Sequence, residues 1–428
     1  MSMAPYREAF AAYPTPQAWV QTIKEAALQR ASASGYPTTR DEAWKYTSMA
    51  ALEKRGFKPV ASEAKLDTAE LASLLIPGLD YPRAVFVNGR FDAKSSRLPK
   101  GIRIVSARAA DESLRTLLPV SKLWEDDVFL NLNTALFQDA LMLELSADTR
   151  LDVPFELLHV SVPGSEPASH QLRCIVKLGT HADATLVERY VGLAGAKHLT
   201  NSVVQVHLDA GAKLTHLRLQ DEDTQGFHVG RILVQQAADS SYISHNVQIG
   251  AAWSRLDLAV DLEAAGAHAE LNGLYAVNDQ QHVDNHTSIK HAAPHTTSRE
   301  LYRGILDGHG RAVFNGKVQV AKHAVKTDSA QANHNLLLSP GAEIDTKPEL
   351  EIYADDVKCA HGATIGQLDE QQLFYLRSRG LDADAARVLL VGAFAERLVS
   401  ALPLPAVAAH LRQRLGASIR QLNGPVKP

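Results

Sequence analysis

The sequence predicts a mainly β protein whose strand-rich core lies between helical ends, and three observations carry that expectation. Between about Leu141 and Leu373, apolar or alternating runs of roughly four to eight residues follow one another without a long helical period. Gly, Asp, Asn and Pro separate them. Turns such as Asp209-Ala210-Gly211-Ala212, Ala265-Gly266-Ala267 and Pro340-Gly341-Ala342 recur directly before new strands. On either side of this region the apolar residues fall at helical spacing instead.

Taken in order, residues 17–34 place Trp19, Val20, Ile23, Ala26, Ala27 and Leu28 on a helical face, and residues 68–75 give a second short helix. Residues 1–80 therefore read as an N-terminal helical domain. Pro77, Gly78 and Pro82 precede a strand over residues 84–89, and helices are expected near residues 107–118 and 128–138, so residues 81–140 form a mixed α/β lead-in. The β core spans residues 141–372. Its strands include residues 173–178, 203–208, 231–235 and 256–262. Two architectures suit this punctuation: a set of closed sandwiches or barrels, and a parallel β-helix whose stacked coils bury a continuous core. Residues 373–428 turn helical again, with Ala386, Val388, Leu389, Leu390, Ala393, Phe394 and Leu398 on one wide apolar face and a second helix over residues 405–415. Helices at both ends of a β-coil are expected to shield strand edges that would otherwise template aggregation.

A net charge of −4 supplies no basic field for phosphate backbones, which argues against nucleic acid as a partner. Residues 1–21, with Pro5, Pro14, Pro16, Arg7 and Glu8, do not read as a signal peptide, and no run of about 18 apolar residues would span a bilayer. Two cysteines, Cys174 and Cys359, are too few for a disulfide framework. A cytoplasmic protein with free thiols is the expectation.

The most informative stretch is Tyr353-Ala-Asp-Asp-Val-Lys-Cys359-Ala-His361-Gly-Ala-Thr364. On a strand, residues two apart point the same way, roughly 7 Å apart at Cα, so one metal ion or cluster would reach both Cys359 and His361. A thiolate and a neutral imidazole are ligands that iron accepts. Two ligands leave a tetrahedral shell half filled, so the others must come from a partner or from cluster sulfide. Against this stands the plain alternative of a small buried Cys359 and a hydrogen-bonded turn histidine.

Other candidates are weaker. Asp355 and Asp356 would serve a carbohydrate-cleaving β-helix only across a bulge, because adjacent strand residues face opposite sides. With 6% aromatic residues the chain is also poor in sugar platforms. His282, His286, His291, His295, His309, His323 and His334 read mostly as polar residues on a coil surface. Cys174 reads as core, and Arg299, Glu300 and Arg303 as ion pairs along the coil. The segment from Gly310 to Lys317 has the wrong glycine spacing for a phosphate loop and runs into a strand, so no ATP is expected on this chain.

The blocks Ser298-Arg-Glu-Leu-Tyr-Arg-Gly-Ile305, Gly316-Lys-Val-Gln-Val320, Thr327-Asp-Ser-Ala-Gln331, Asn335-Leu-Leu-Leu-Ser339, Lys347-Pro-Glu-Leu-Glu-Ile352, the Cys/His segment and Leu373-Phe-Tyr-Leu-Arg-Ser-Arg-Gly380 stand in one order. That order resembles the core of the SufB/SufD family of iron–sulfur cluster assembly proteins. Arg40-Asp-Glu-Ala-Trp-Lys-Tyr-Thr47 and the modest length are more similar to its SufD branch. The resemblance implies a right-handed parallel β-helix flanked by helical domains, and a non-catalytic subunit. It implies pairing with a SufB-like scaffold near Cys359 and His361, with iron or a nascent cluster held there transiently and shared with that partner. It further implies a SufC-like ATPase on the C-terminal helices, for which Leu389, Ala393 and Phe394 are the candidate contacts. A homodimer in the absence of the scaffold stays open, as do two other readings: a SufB-like principal scaffold, and, from another class, a carbohydrate-active β-helix.

Overall fold

The computed structural model describes residues 3–59, 65–108, 113–118 and 124–421. Its core is a parallel β-helix. One sheet stacks Asp139–Leu145, Ala168–Leu178, His198–Leu208, Phe227–Gln236, Trp253–Leu262, His282–His291, Arg311–Val320 and Glu343–Ile352. The other stacks Phe155–Ser161, Asp183–Gly192, Lys213–Asp221, Ser241–Gln248, His268–Val277, Thr297–Leu306, Asp328–Leu337 and Lys358–Gly366. Each strand pairs in parallel with the strand two further along the chain, which excludes the hairpin-linked sandwich or barrel.

Register explains why these residues suit a coil. Val176, Val206, Val234, Val260, Ile289, Val318 and Leu350 fall directly above one another. Six of the seven are β-branched, the shape that packs best on a pleated surface. This column belongs to the buried cluster between the two sheets. Gly273 and Gly304 serve the same interior: a Cβ on either would fall within 2.3 Å of the ring of Tyr302 or Tyr275 from the next coil.

The helices cover the outer faces of the sheets. Ala18–Ser34 packs on Val128–Leu136, where Lys24 donates to the Phe137 carbonyl at 3.0 Å. Trp44, Phe57 and Phe129 join Phe227, Val229 and Trp253 on the outside of the first sheet. On the outside of the second sheet, Val391, Leu398, Val407 and Leu411 of the helices Ala383–Val399 and Pro405–Gln421 meet Leu217, Leu219, Val247 and Leu274. Most of the apolar width of the C-terminal pair is consumed by this packing. The helix expected near residues 107–118 is seen over Ser113–Leu117, and residues 109–112 lie outside the described ones. Among the described residues no helix is long and apolar enough to cross a membrane.

The two ends of the coil differ, and here the expectation of helical caps needs correction. At the first end, Ile102–Ser106 pairs antiparallel with Asp139–Leu145, and Arg83–Val87 pairs with Phe155–Ser161, so both sheets gain a covering strand. At the other end Glu343–Ile352 and Lys358–Gly366 close both sheet orders, and no described residue pairs with their outer edges. Hydrophobic burial drew the C-terminal helices onto the apolar outer face of the second sheet, not across the coil's mouth.

Candidate functional site

Cys359 and His361 lie on the final strand, Lys358–Gly366. Its partner strand is Asp328–Leu337, with Cys359 beside Ser329 and His361 beside Gln331. Ser329 and Gln331 are buried between the sheets, so the thiol and imidazole stand over the coil's interior, side by side at its open mouth. Cys359 is half-buried against the interior cluster and His361 is exposed. Burial pushes the Cys359 thiol up, and the Asp328 carboxylate adds to this against a hydrogen bond from the Ser329 backbone.

The surroundings favour a mating surface. Tyr353 is 61% exposed and Ile365 53%, joined by Ile352 and Val325 around the same end. Large apolar side chains grouped on an unpaired sheet edge are what a second protein covers.

Asp355 and Asp356 are exposed in the preceding turn, with Asp356 paired to Lys326 at 2.5 Å. Cys174 is buried in the core, as expected. His295, His309 and His323 are exposed turn residues, whereas His282 and His286 lie on the outer face beside Asp284. His291 departs from the surface reading. It is fully buried inside the coil, 2.9 Å from the Ser298 hydroxyl, which in turn lies 2.8 Å from that of Ser329.

The ion-pair reading holds for one of its three residues. Arg299 pairs with Asp328 at 3.0 Å. Glu300, one residue on, faces the interior, and Arg303 donates to the Phe394 carbonyl and lies over its ring. Strand alternation separates Glu300 from its neighbours. Arg311–Val320 is a strand, as the run after Gly310 predicted.

Leu389, Ala393 and Phe394 do not share one face. Leu389, at 52% exposure, and Ala393 point to solvent, while Phe394 is half-buried against the second sheet. Helical geometry requires this split, since positions four apart align and the next residue is turned by about 100°. Phe374 and Tyr375 of the neighbouring helix Glu370–Ser378, which has no buried residue, are exposed as well.

Sequence reading missed a set of buried ionisable side chains in the coil. Glu222 accepts from Thr200 at 2.6 Å and lies 3.0 Å from His198 and 2.9 Å from His228. Glu188 lies 3.1 Å from His216 and accepts from Tyr190 at 2.6 Å. Polarity at alternate positions was the available signal: His216, Arg218 and Gln220 alternate with Leu217 and Leu219. It points the wrong way, because the leucines face the C-terminal helices and the polar residues face inward.

A coil with an open end, a thiol–imidazole pair at its mouth and helices along both flanks can be set beside known proteins. Residues 161–394 match the family described as SUF system FeS cluster assembly, SufBD core domain, and residues 11–157 match the SufBD protein N-terminal region. The chain belongs to the SufBD family. It is 34% identical to the iron–sulfur cluster assembly protein SufD of Escherichia coli over 91% of this chain and 90% of that one. It is 35% identical to an iron–sulfur cluster assembly SufBD family protein of Synechocystis over 88% and 86% of the two chains. Both SufBD family regions are thus present, and together they cover nearly all of the β-helix, the helix Ala18–Ser34 and most of the helix Ala383–Val399.

Proposed function

We propose that this SufD-like chain is a non-catalytic subunit of an iron–sulfur cluster assembly complex. In this reading the open end of its β-helix mates with a SufB-like scaffold, and Cys359 and His361 supply half of a transient site for iron or a nascent cluster as cargo. The observation that carries the reading is the uncovered terminal coil with both ligands at its mouth. Half a shell on each partner holds metal weakly and releases it when the interface moves, whereas a complete four-ligand site would retain it. Coexpression with SufB- and SufC-like partners tests this. The His361→Ala complex is expected to assemble in normal yield but to lose most of its iron. Equal iron in wild type and variant would remove the metal role and leave the partner role standing.

A SufC-like ATPase would dock on the exposed side of the C-terminal helices, around Leu389 and Ala393, with Phe374 and Tyr375 adjoining. Phe394 supports this surface from beneath through its contact with Arg303. The double substitution Leu389→Glu/Ala393→Glu should abolish ATPase co-purification with little change in melting temperature, because neither side chain is buried. Undiminished co-purification would place the ATPase elsewhere.

A further inference from the structure

Inside the coil, two strands in from His361, lies a buried carboxylate that the reading above does not use. The interior column runs Leu271, Glu300, Gln331, His361 in direct register. Glu300 is 4% exposed, and among the described residues no cationic side chain pairs with it. One of its oxygens accepts from Gln331 Nε2 at 2.6 Å. Thr287 hydrogen-bonds to the Glu300 carboxyl, and Gln331 Oε1, facing the same interior, has no partner. Gly316 makes room for this arrangement, since a Cβ there would come within 2.2 Å of Gln331 Nε2.

A buried carboxylate without a counter-charge is costly, and so is each unpartnered buried oxygen. We propose that Glu300, with Gln331 and Thr287, forms a binding site for a hard divalent cation inside the coil, inward of the thiol–imidazole pair at its mouth. The donor set decides the ligand class: one carboxylate, one amide oxygen and one hydroxyl are oxygen donors of the kind magnesium, manganese and ferrous ions accept, with water completing the shell. An anion is excluded by the carboxylate. Neighbouring strands of one sheet lie about 4.8 Å apart, so Gln331 bridges the inner site to His361 in two steps of that length. The mouth offers a softer ligand pair and the interior a harder one. A divalent ion would therefore find an inner holding position from which the mouth is reached without leaving the coil. The assignment of that ion as iron rests on the function proposed above, whereas the existence of the cation site does not.

Manganese is the probe, because it prefers oxygen donors and its free ion is counted by electron paramagnetic resonance. Titration of the purified full chain is expected to reveal a bound Mn²⁺ in the wild type and equally in the Cys359→Ala/His361→Ala double variant. Glu300→Gln, which keeps the shape and the bond from Gln331, should abolish binding. Gln331→Leu and Thr287→Val should each weaken it by roughly 10- to 100-fold, and they carry the test if Glu300→Gln proves unfolded by circular dichroism. Wild-type affinity in Glu300→Gln, absence of binding in the wild type, or loss of the site in the double variant would each overturn the proposal. Mn²⁺ binding that persists while iron loading of the complex ignores His361→Ala would sink the function at the mouth and spare the inner site.

Discussion

Arg255→Met is expected to destabilise the protein by roughly 3–5 kcal/mol, the range for removing one partner of a buried charge cluster. The Arg255 guanidinium, 1% exposed, is 2.9 Å from both Asp257 oxygens and 2.8 Å from Asp284, and donates to the Ala43 carbonyl at 2.6 Å. It also lies 3.9 Å from the Trp44 ring centre. Asp257 keeps Arg231 at 2.7 Å, and Asp284 keeps Thr47 and His286, so the loss is partial for each acid but falls on both. Two carboxylates would then share less cationic charge in a dry setting. The Ala43 carbonyl and the Trp44 ring stack on Trp253 tie the N-terminal segment to the first sheet, so that segment should detach first. Urea unfolding followed by tryptophan fluorescence reads this directly. As a control, Arg299→Ala removes an exposed pair and should cost less than about 1 kcal/mol. A loss for Arg255→Met no larger than the control's would show that the cluster is not what fastens the N-terminal segment.

Stability is expected to be level above about pH 7 and to fall on acidification, by several kcal/mol in total. Burial holds His159 down to about 4, His170 to about 3 and His291 to about 4, and it lowers His228 as well. Released from the fold, each regains an ordinary imidazole pKa near 6.5, so the unfolded chain takes up protons that the native one refuses. Their contribution is therefore complete above pH 6.5 and drains away between there and about pH 3. Glu188 and Glu222 extend the decline. Burial alone would raise both, but His216 and His159 beside Glu188, and His228 and His198 beside Glu222, outweigh it. Glu188 settles at about 2 and Glu222 well below the usual carboxylate range. Stability from these two is present above about pH 4.5 and is lost as pH falls toward 2. Glu300 runs the other way: burial raises it to about 7, so its contribution is present below pH 4.5 and fades as pH rises through 7. Urea midpoints at pH 8, 7, 6, 5 and 4 give the profile. A midpoint unchanged from pH 7 to pH 5 in Glu300→Gln, where the opposing contribution is absent, would mean that the buried imidazoles accept protons in the fold.

Much of this fold can be read from single residues. Asp382 before the helix Ala383–Val399 and Asp127 before Val128–Leu136 are N-caps whose side chains accept from the first turn, and both helices begin where those acids stand. The helix over Ala18–Ser34 follows its apolar spacing and ends at Gly35. Strand punctuation was equally plain, because Gly211 and Gly266 sit at positive φ at the turns where their sequences place them. Less of the site was legible. Spacing alone put Cys359 and His361 on one side of a strand, yet nothing local says whether that side faces solvent, a helix or the coil's interior. The same limit misassigned Glu300 to an ion pair along the coil and gave Phe394 the wrong neighbours.

The sequence by itself determined the strand and helix types and the pairing of thiol with imidazole, since each depends on residues near one another along the chain. Which face of each strand became interior, which end of the coil stayed open, and which polar side chains met inside were decided only by the tertiary structure. The reason is stacking: interior neighbours on one sheet come from the next coil, about 30 residues away in sequence, as the pairs Ser298–Ser329 and Glu300–Gln331 show with separations of 31. Periodicity within one strand carries no information about a register set that far off.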